Sequence, residues 1–498
     1  MNFLPDITAR RATLKPDAIA FEAVLTGEQT SYRTLDDRAC RAASVLADQG
    51  IISGDRVAIL CRNRVEFFEI LFACAKLGAI LVPLNWRMPA SELAGLIEDC
   101  GPGLLIIGEE DRDTARDAAG EETPRLDLET DYPDLVKTAT PHPGRPQWPA
   151  DQTWYLIYTS GTTGRPKGVI QTYGMALVNY LNIGQAISLR QGDHTLNFLP
   201  LFHTAGINLH TLPVLMAGGT VHILPGFDAT RMLSLINAGQ LDVFIGVPAI
   251  FRELSLHADF AATDLTKLRH WACGGAPLPD ILVETFAARG AIVCNGFGMT
   301  ETGPTAFLVD QDRALEKIGS VGKTQFMTAS RIANDDAELS AGKTGEIQFF
   351  GPGLTPGYWQ RPEETEKLFT PTGWLRSGDL GWFDDDGYCF VAGRIKEMYI
   401  SGGENVYPAE VENVLSQHPA VLEAAIAGMP DDQWGEVGCA HIILRDGQTA
   451  DAASLTAWCR ERLAAYKTPR HYRFDTDFPR TAAGKVQKHL LPRIEPAS

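Results

Sequence analysis

A chain of 498 residues with 45% hydrophobic and 21% charged side chains can fill large cores, which excludes a disordered, collagen-like or disulfide-stapled protein. Single cores rarely grow past roughly 250–300 residues, so two or more domains are expected. Lys+Arg 44 against Asp+Glu 62 gives a formal charge of −18, which opposes attraction to nucleic acid or an anionic membrane; a polyanionic ligand must be caught by a local site.

The opening residues lack the basic flank and apolar run of a leader. The most apolar stretch, 71–84, is broken by Lys76 and too short to span a bilayer. The expectation is a cytoplasmic protein with no integral membrane segment and no nucleic-acid partner. Nine scattered cysteines without CxxC spacing read as reduced core thiols. A homodimer is compatible with the sequence, but nothing in it determines the oligomeric state.

In chain order, apolar β-branched runs at 18–24, 56–60 and 79–84 predict strands, with helices at 35–49 and 66–77 between them. The segment 108–151 is acidic, carries six prolines and reads as solvated surface rather than core. The βαβ rhythm resumes with strands at 155–158, 195–199, 220–224, 243–247, 270–273 and 291–294, and helices at 229–238 and 281–289. Parallel α/β sheets bind ligands at the carboxyl ends of their strands, so the loops leaving these runs are where a site belongs. After about residue 345 come β segments at 345–350 and 388–391. A small mixed unit then starts near 393, with a strand at 440–444 and a helix carrying Leu455, Trp458, Cys459 and Leu463 on one face.

Several loops carry chemistry. In Tyr158-Thr-Ser-Gly-Thr-Thr-Gly-Arg-Pro-Lys-Gly168, Gly161, Gly164 and Gly168 free the backbone, the hydroxyls of Thr159, Ser160, Thr162 and Thr163 suit phosphate oxygens, and Lys167 adds charge. This is a phosphate cradle but not a Walker A loop. Asn295 precedes Gly296-Phe-Gly-Met-Thr-Glu301, in which Gly296 and Gly298 allow close approach to a planar group. There Phe297 offers a stacking face, Thr300 a phosphate donor and Glu301 a hard oxygen ligand for Mg²⁺. Asp379, in Ser377-Gly-Asp379, can accept from both ribose hydroxyls, with Arg394 to reinforce it. Asp384-Asp-Asp-Gly387 reads as a solvated turn rather than a metal site.

Together with the stretches 393–412 and 479–488, these segments resemble, in order, the signatures of the adenylate-forming superfamily, which includes acyl-CoA synthetases, aryl-CoA ligases, luciferases and peptide-synthetase adenylation domains. The resemblance implies an α/β fold: a large N-terminal domain of stacked α/β sheets (1–393) that binds AMP and the acid, and a small mobile α+β C-terminal domain (394–498). It implies an acyl-CoA synthetase using ATP, Mg²⁺ and CoA, closest in layout to fatty-acyl and feruloyl-type ligases. The alternative is a stand-alone adenylation enzyme that passes the acyl group to a carrier protein or another acceptor.

By the same resemblance, Gly275, Ala276 and Pro277 form an adenine-binding turn, Lys485 is the catalytic lysine and Lys396 the hinge. Ser401, Gly402, Gly403 and Glu404 would line the pantetheine route, and Trp434 is either a CoA contact or a small-domain core residue. His203, in a position where a lone His is ordinarily structural, would by the resemblance shape the carboxylate entrance. The family usually has Tyr where Phe297 stands and Thr where Ser377 stands. Expected acyl-pocket walls at 205–209, 273–274, 297–299 and 302–305 contain no Arg or Lys, so a monocarboxylic, largely apolar acid is expected.

Overall fold

Helix Tyr32–Asp48 shows how local sequence builds the large domain. Ser31 accepts a bond from the Thr34 amide at 3.1 Å, which caps the start. Leu35, Ala39, Ala42, Ala43 and Leu46 then recur at helical spacing and are all buried. Their partners include helix Val65–Leu77, whose Phe67, Phe68, Leu71 and Phe72 lie in the same core. Truncating one of these phenylalanines to alanine would cost about 3–5 kcal/mol.

The computed structural model describes residues 2–120, 122–159, 166–480 and 486–492. Its first large sheet has six strands in the order Lys167–Thr172, Thr153–Thr159, Ile80–Pro83, Arg56–Leu60, Leu104–Ile107, Arg125–Asp127, all parallel except the antiparallel pair at Thr153–Thr159 and Lys167–Thr172. A four-stranded sheet (His194–Asn197, Thr220–Ile223, Ile19–Ala23, Gln29–Ser31) joins it in one core. A third sheet has parallel strands Val243–Gly246, His270–Cys273 and Val293–Phe297, extended by the short antiparallel strands Phe307–Leu308 and Lys323–Thr324. An antiparallel sheet follows, ending on Leu375–Phe383 and Cys389–Arg394. The last sheet (Tyr399–Ser401, Glu404–Val406, Val421–Asp431, Gly435–Leu444, His471–Phe474) packs on helices Pro408–Ser416 and Ala452–Arg460 around a separate small core. This mixed α/β architecture is the fold class expected.

Two sequence expectations need correction. Segment 108–151 is not a solvated connection: Arg125–Asp127 is the edge strand of the six-stranded sheet, Gln147–Pro149 pairs with Phe3–Pro5, and Leu126, Leu128, Tyr132, Val136 and Trp148 are buried. Trp148 stacks in an aromatic cluster with Trp154 and Tyr173, ring centroids 5.2–5.7 Å apart. Lys76, the charge within the apolar stretch 71–84, is 1% exposed and is paired with Asp6 and Asp36, each 2.7 Å away. Leu463 lies beyond helix Ala452–Arg460, packed against the small core. The nine cysteines are all unpaired thiols, eight of them buried. Among the described residues no helix is long and apolar enough to cross a membrane.

Candidate active site

The parallel strands Val243–Gly246, His270–Cys273 and Val293–Phe297 end side by side, which brings together the loops that leave them. A Cβ on Gly274 would lie 3.2 Å from the Gly296 carbonyl, so the 274–277 turn with Gly275, Ala276 and Pro277 flanks the 296–301 segment directly. Gly298 is imposed by packing, since a Cβ there would sit 1.5 Å from the Pro304 carbonyl oxygen. Phe297 is half-buried, its ring near-parallel to Phe349 at 6.2 Å. Asn295 donates to the Ser320 carbonyl at 2.9 Å, while its buried Oδ1 makes no hydrogen bond among the described residues.

Thr300 and Glu301 open a single 3₁₀ turn and are buried. Their backbone is held from two sides: Gln171 Nε2 donates to the Thr300 carbonyl at 3.0 Å and the Thr355 amide to the Glu301 carbonyl at 2.8 Å. The Glu301 carboxylate accepts the Tyr358 hydroxyl at 2.9 Å. Burial, with the Glu301 charge beside it, pushes the Tyr358 phenol well up, so it stays a donor.

Tyr358 also reaches the phosphate cradle. Thr159 and Lys167 face each other across the ends of an antiparallel pair, so the loop between them closes a hairpin. Ser160, Gly161, Thr162, Thr163 and Gly164 lie outside the described residues. The Lys167 ammonium stands 5.1 Å from the centre of the Tyr358 ring, and the Trp359 amide donates to the Gly168 carbonyl at 2.7 Å. One aromatic side chain therefore joins the loop's cation to the buried carboxylate. No group of three or more His, Cys, Asp or Glu side chains that could hold a metal occurs among the described residues. A single carboxylate suits Mg²⁺ that keeps water and phosphate as its other ligands.

Asp379 and Arg394 are cross-strand neighbours, with guanidinium and carboxylate 2.9 Å apart. Asp379 is buried, its amide held by Ser377 Oγ at 3.0 Å while that hydroxyl donates to the Ile347 carbonyl. The hydroxyl that Ser377 shares with Thr is thus the part the loop uses. Asp384 and Asp386 form a turn braced by Lys317, at 2.8 and 2.6 Å.

His203 is half-buried and its Nδ1 accepts the Ala205 amide at 3.1 Å, which organises the loop into the single π turn Ala205–Leu209. Within that turn, Ile207 is buried. Asn208 is committed to a polar network, accepting from Tyr155 at 2.6 Å and donating to Thr204 at 2.9 Å.

Strand Cys389–Arg394 ends one sheet and Tyr399–Ser401 begins the next, so exposed Lys396 sits in the four-residue link 395–398. Gly402 and Gly403, at φ +61° and +88°, make the tight turn between Ser401 and Glu404, a conformation that favours glycine. Trp434 packs on this turn: a Cβ on Gly402 would lie 2.7 Å from the indole. Trp434 is half-buried with the Arg470 guanidinium 5.1 Å from its ring, so it is a wall of the 401–404 turn rather than a fully enclosed core residue. Lys485 lies outside the described residues. Near it in sequence, Lys488 pairs with Glu412 at 2.7 Å and with Glu397, next to Lys396, at 3.0 Å. Glu423 of the small sheet meets Arg252 of helix Pro248–Leu256 at 2.8 Å and Arg480 at 2.6 Å.

The main residue that sequence reasoning missed is Tyr358. Its only local signal is an aromatic pair after Pro356-Gly357, which carries no chemistry until the fold places it against Glu301.

An AMP-binding enzyme model matches residues 8–359, and an AMP-binding enzyme C-terminal domain model matches 410–485. Among curated proteins, feruloyl-CoA synthase of an Amycolatopsis species is 39% identical over 494 residues, covering 97% of each chain. The long-chain-fatty-acid–CoA ligase FadD13 of Mycobacterium tuberculosis is 36% identical, covering 97% of this chain and 96% of its own. Among solved structures, o-succinylbenzoate CoA synthetase (MenE) of Bacillus subtilis, with its acyl-adenylate intermediate, superposes with a TM-score of 0.90 at 32% identity over 99% of both chains. The same enzyme has been solved with ATP and a magnesium ion. On these matches the chain belongs to the AMP-binding enzyme family and is one of its acid–CoA ligases.

Proposed function

We propose that the protein activates a monocarboxylic acid, fatty or aryl/arylpropenoic, in two half-reactions served by domains that meet at 393/394. In the first, a carboxylate oxygen attacks the α-phosphorus of ATP, the bond to the bridging oxygen breaks, and pyrophosphate leaves with its electron pair. In the second, the CoA sulfur attacks the acyl carbonyl as a thiolate, and AMP leaves as the thioester forms. The observation that carries this reading is the convergence of Lys167 and Glu301 on Tyr358; the buried Asp379–Arg394 pair adds support.

Each group then has a task. Lys167 and the loop from Thr159 to Gly164 hold phosphates, and Asp379 takes the ribose hydroxyls while Arg394 orients it. The Asn295 Oδ1 acceptor and the Gly275–Pro277 turn suit the amino group and face of adenine. Phe297 would stack on the adenylate, and Thr300 would donate to the α-phosphate. Glu301, aimed by Tyr358, would hold Mg²⁺, which when bound offsets the negative charge of the phosphates. His203 borders the carboxylate entrance, and Lys485 offsets charge that builds at the α-phosphate. Rotation about Lys396 then brings the turn at Ser401, Gly402, Gly403 and Glu404, with Trp434, to the acyl-adenylate for CoA.

The test is acid-dependent exchange of pyrophosphate into ATP, followed by CoA-dependent release of AMP, across fatty acids, benzoates and cinnamates. Both activities are expected. Exchange without CoA-dependent turnover would assign the protein to the adenylation enzymes that use another acceptor.

A further inference from the structure

Asp99 stands where local physics disfavours it. It lies in the last turn of helix Ala90–Cys100, which carries no basic residue there and ends on Gly101 at φ +52°. A carboxylate at that end meets the negative pole of the helix dipole, so partners from elsewhere in the fold must compensate. Among the described residues those partners come from segments beside the phosphate cradle: Asp99 Oδ2 accepts the Tyr158 hydroxyl at 2.6 Å, and Oδ1 accepts from the Arg361 guanidinium. They lie 59 and 262 positions from Asp99, so only the fold unites the three. The helix end is itself fixed, because Arg56 on strand Arg56–Leu60 donates to the Cys100 and Gly101 carbonyls, each at 2.8 Å.

These contacts close a ring around both stems of the cradle. Tyr158 immediately precedes Thr159 on one stem and is the register partner of Gly168, which follows Lys167 on the other. A Cβ on Gly168 would lie 3.3 Å from both the Tyr158 ring and the Trp359 side chain, so the two aromatic groups cover that glycine together. Segment 355–361 runs along the edge strand Lys167–Thr172. There the Thr355 hydroxyl donates to the Ile170 carbonyl at 2.7 Å, the Ile170 amide to the Gly357 carbonyl at 3.1 Å, and the Trp359 amide to the Gly168 carbonyl. Gln360 sits at φ +51°, a left-handed conformation that residues with a side chain rarely adopt. It is pinned on both sides, by the Trp359 amide bond before it and by the Arg361–Asp99 pair after it.

Resting on the ligase reading above, we propose that Asp99 is a positioning residue for the triphosphate of ATP. On this reading it acts only through Tyr158 and Arg361. By holding one on each side, it fixes the spacing of the stems that carry Thr159 and Lys167, and with it the place of the Lys167 ammonium 5.1 Å from the centre of the Tyr358 ring. The segment that ends on Arg361 also presents Tyr358 to Glu301, so the cradle's cation and the buried carboxylate keep one relative position. The Asp99 and Arg361 side chains are 17% and 30% exposed, shielded enough for a charged hydrogen bond to hold its geometry. A cradle set before ATP arrives spends less of the binding energy on ordering itself. The second half-reaction carries only the phosphate of AMP and depends on that order far less.

The experiment measures kcat and the KM for ATP and for the acid in pyrophosphate exchange, and thioester formation from supplied acyl-AMP and CoA. It compares the full-length parent with Asp99→Ala, Tyr158→Phe and the double variant. Alanine suits a helix end and removes the adverse charge, so folding should survive. Asp99→Ala should raise the KM for ATP about tenfold, the scale of a lost bond to a charged group, and leave the KM for the acid and the use of acyl-AMP within about twofold. Tyr158→Phe should do the same to a smaller extent. The double variant should be no worse than Asp99→Ala, because both changes remove one contact. An unchanged KM for ATP in the single variants overturns the proposal, and so does an equal loss in both half-reactions, which a merely structural role predicts. Tyr158→Phe removes one oxygen and keeps the ring over Gly168, so it decides the matter even if Asp99→Ala does not fold. Exchange by the parent with the KM for ATP unmoved in the variants refutes this inference alone, whereas no exchange with any acid refutes the ligase reading and the inference together.

Discussion

At the residue scale the hydroxyl of Tyr358 does what Glu301 cannot do alone: it fixes which way a buried carboxylate points. A hydrogen bond to a charged group is worth about 1.5–3 kcal/mol. Tyr358→Phe should therefore raise the Mg²⁺ concentration needed for half-maximal exchange and slow exchange on the order of tenfold, with little effect on use of supplied acyl-AMP and CoA. Glu301→Gln should do the same more severely, because it removes the charge itself; an unchanged Mg²⁺ titration would remove both residues from the metal's surroundings. Two buried histidines make a second prediction. Burial depresses His210 and His270 below the 6.5 at which they titrate when unfolded, with His270 adding to the effect on His210 and Arg269 to that on His270. Above pH 6.5 both states are neutral. As the pH falls, the unfolded chain takes up protons that the folded rings refuse until about pH 4 and 3, so stability falls. Urea unfolding at pH 7.5 and 5.0 should show this loss, and His210→Leu should make it smaller. Equal losses in parent and variant would show that these rings are not buried neutral.

At the element scale, side-chain bonds tie the small domain to the large one among the described residues. Glu423 on strand Val421–Asp431 joins helix Pro248–Leu256 through Arg252 and the C-terminal segment through Arg480, and Gln417 after helix Pro408–Ser416 reaches Asp280 at 3.4 Å. These groups are about a quarter exposed, where an ion pair contributes about 0–1 kcal/mol. Such a clasp biases one arrangement without locking it, which the proposed rotation requires. Glu423→Gln should loosen it, and trypsin should then cut at exposed Lys396 several-fold faster, read by the appearance of two fragments on a gel. Unaltered cleavage would mean that other contacts set the domain's position.

At the scale of the whole molecule, a large and a small body with separate cores are joined by the link 395–398, and the proposed function divides its two half-reactions between them. The amides of Ile395, Glu397 and Met398 donate to Gly378 and Arg394 carbonyls, so a proline at 396 fixes φ without removing the donor of any of those bonds. Lys396→Pro should keep pyrophosphate exchange and lose thioester formation from supplied acyl-AMP and CoA. Lys485→Ala should do the reverse, losing on the order of 10² to 10³ in adenylation, as when a preorganised charge-stabilising group is removed from a reacting centre. Single-turnover measurement of each half-reaction checks both. Equal losses in both steps for Lys485→Ala would contradict alternation and point to one fixed site.

The amino-acid order by itself determined the parts of this protein that are contiguous. The cradle 159–168, the Thr300–Glu301 pair and Asp379 each stand in a short segment whose residue types suggest a chemistry, Lys396 stood out only by its resemblance to a family position, and strands such as Ile80–Pro83 and Leu104–Ile107 show as apolar runs because both faces are covered. What only the tertiary structure decided is long-range. Segment 108–151 looked solvated because its apolar residues are isolated among prolines and acids, yet Leu126, Tyr132 and Trp148 each find a core built by distant elements. Tyr358 meets Glu301 across 57 positions. Local periodicity reports which face of an element is buried, but the identity of the residue opposite is set by packing between elements, and no single stretch of sequence contains both sides of that contact.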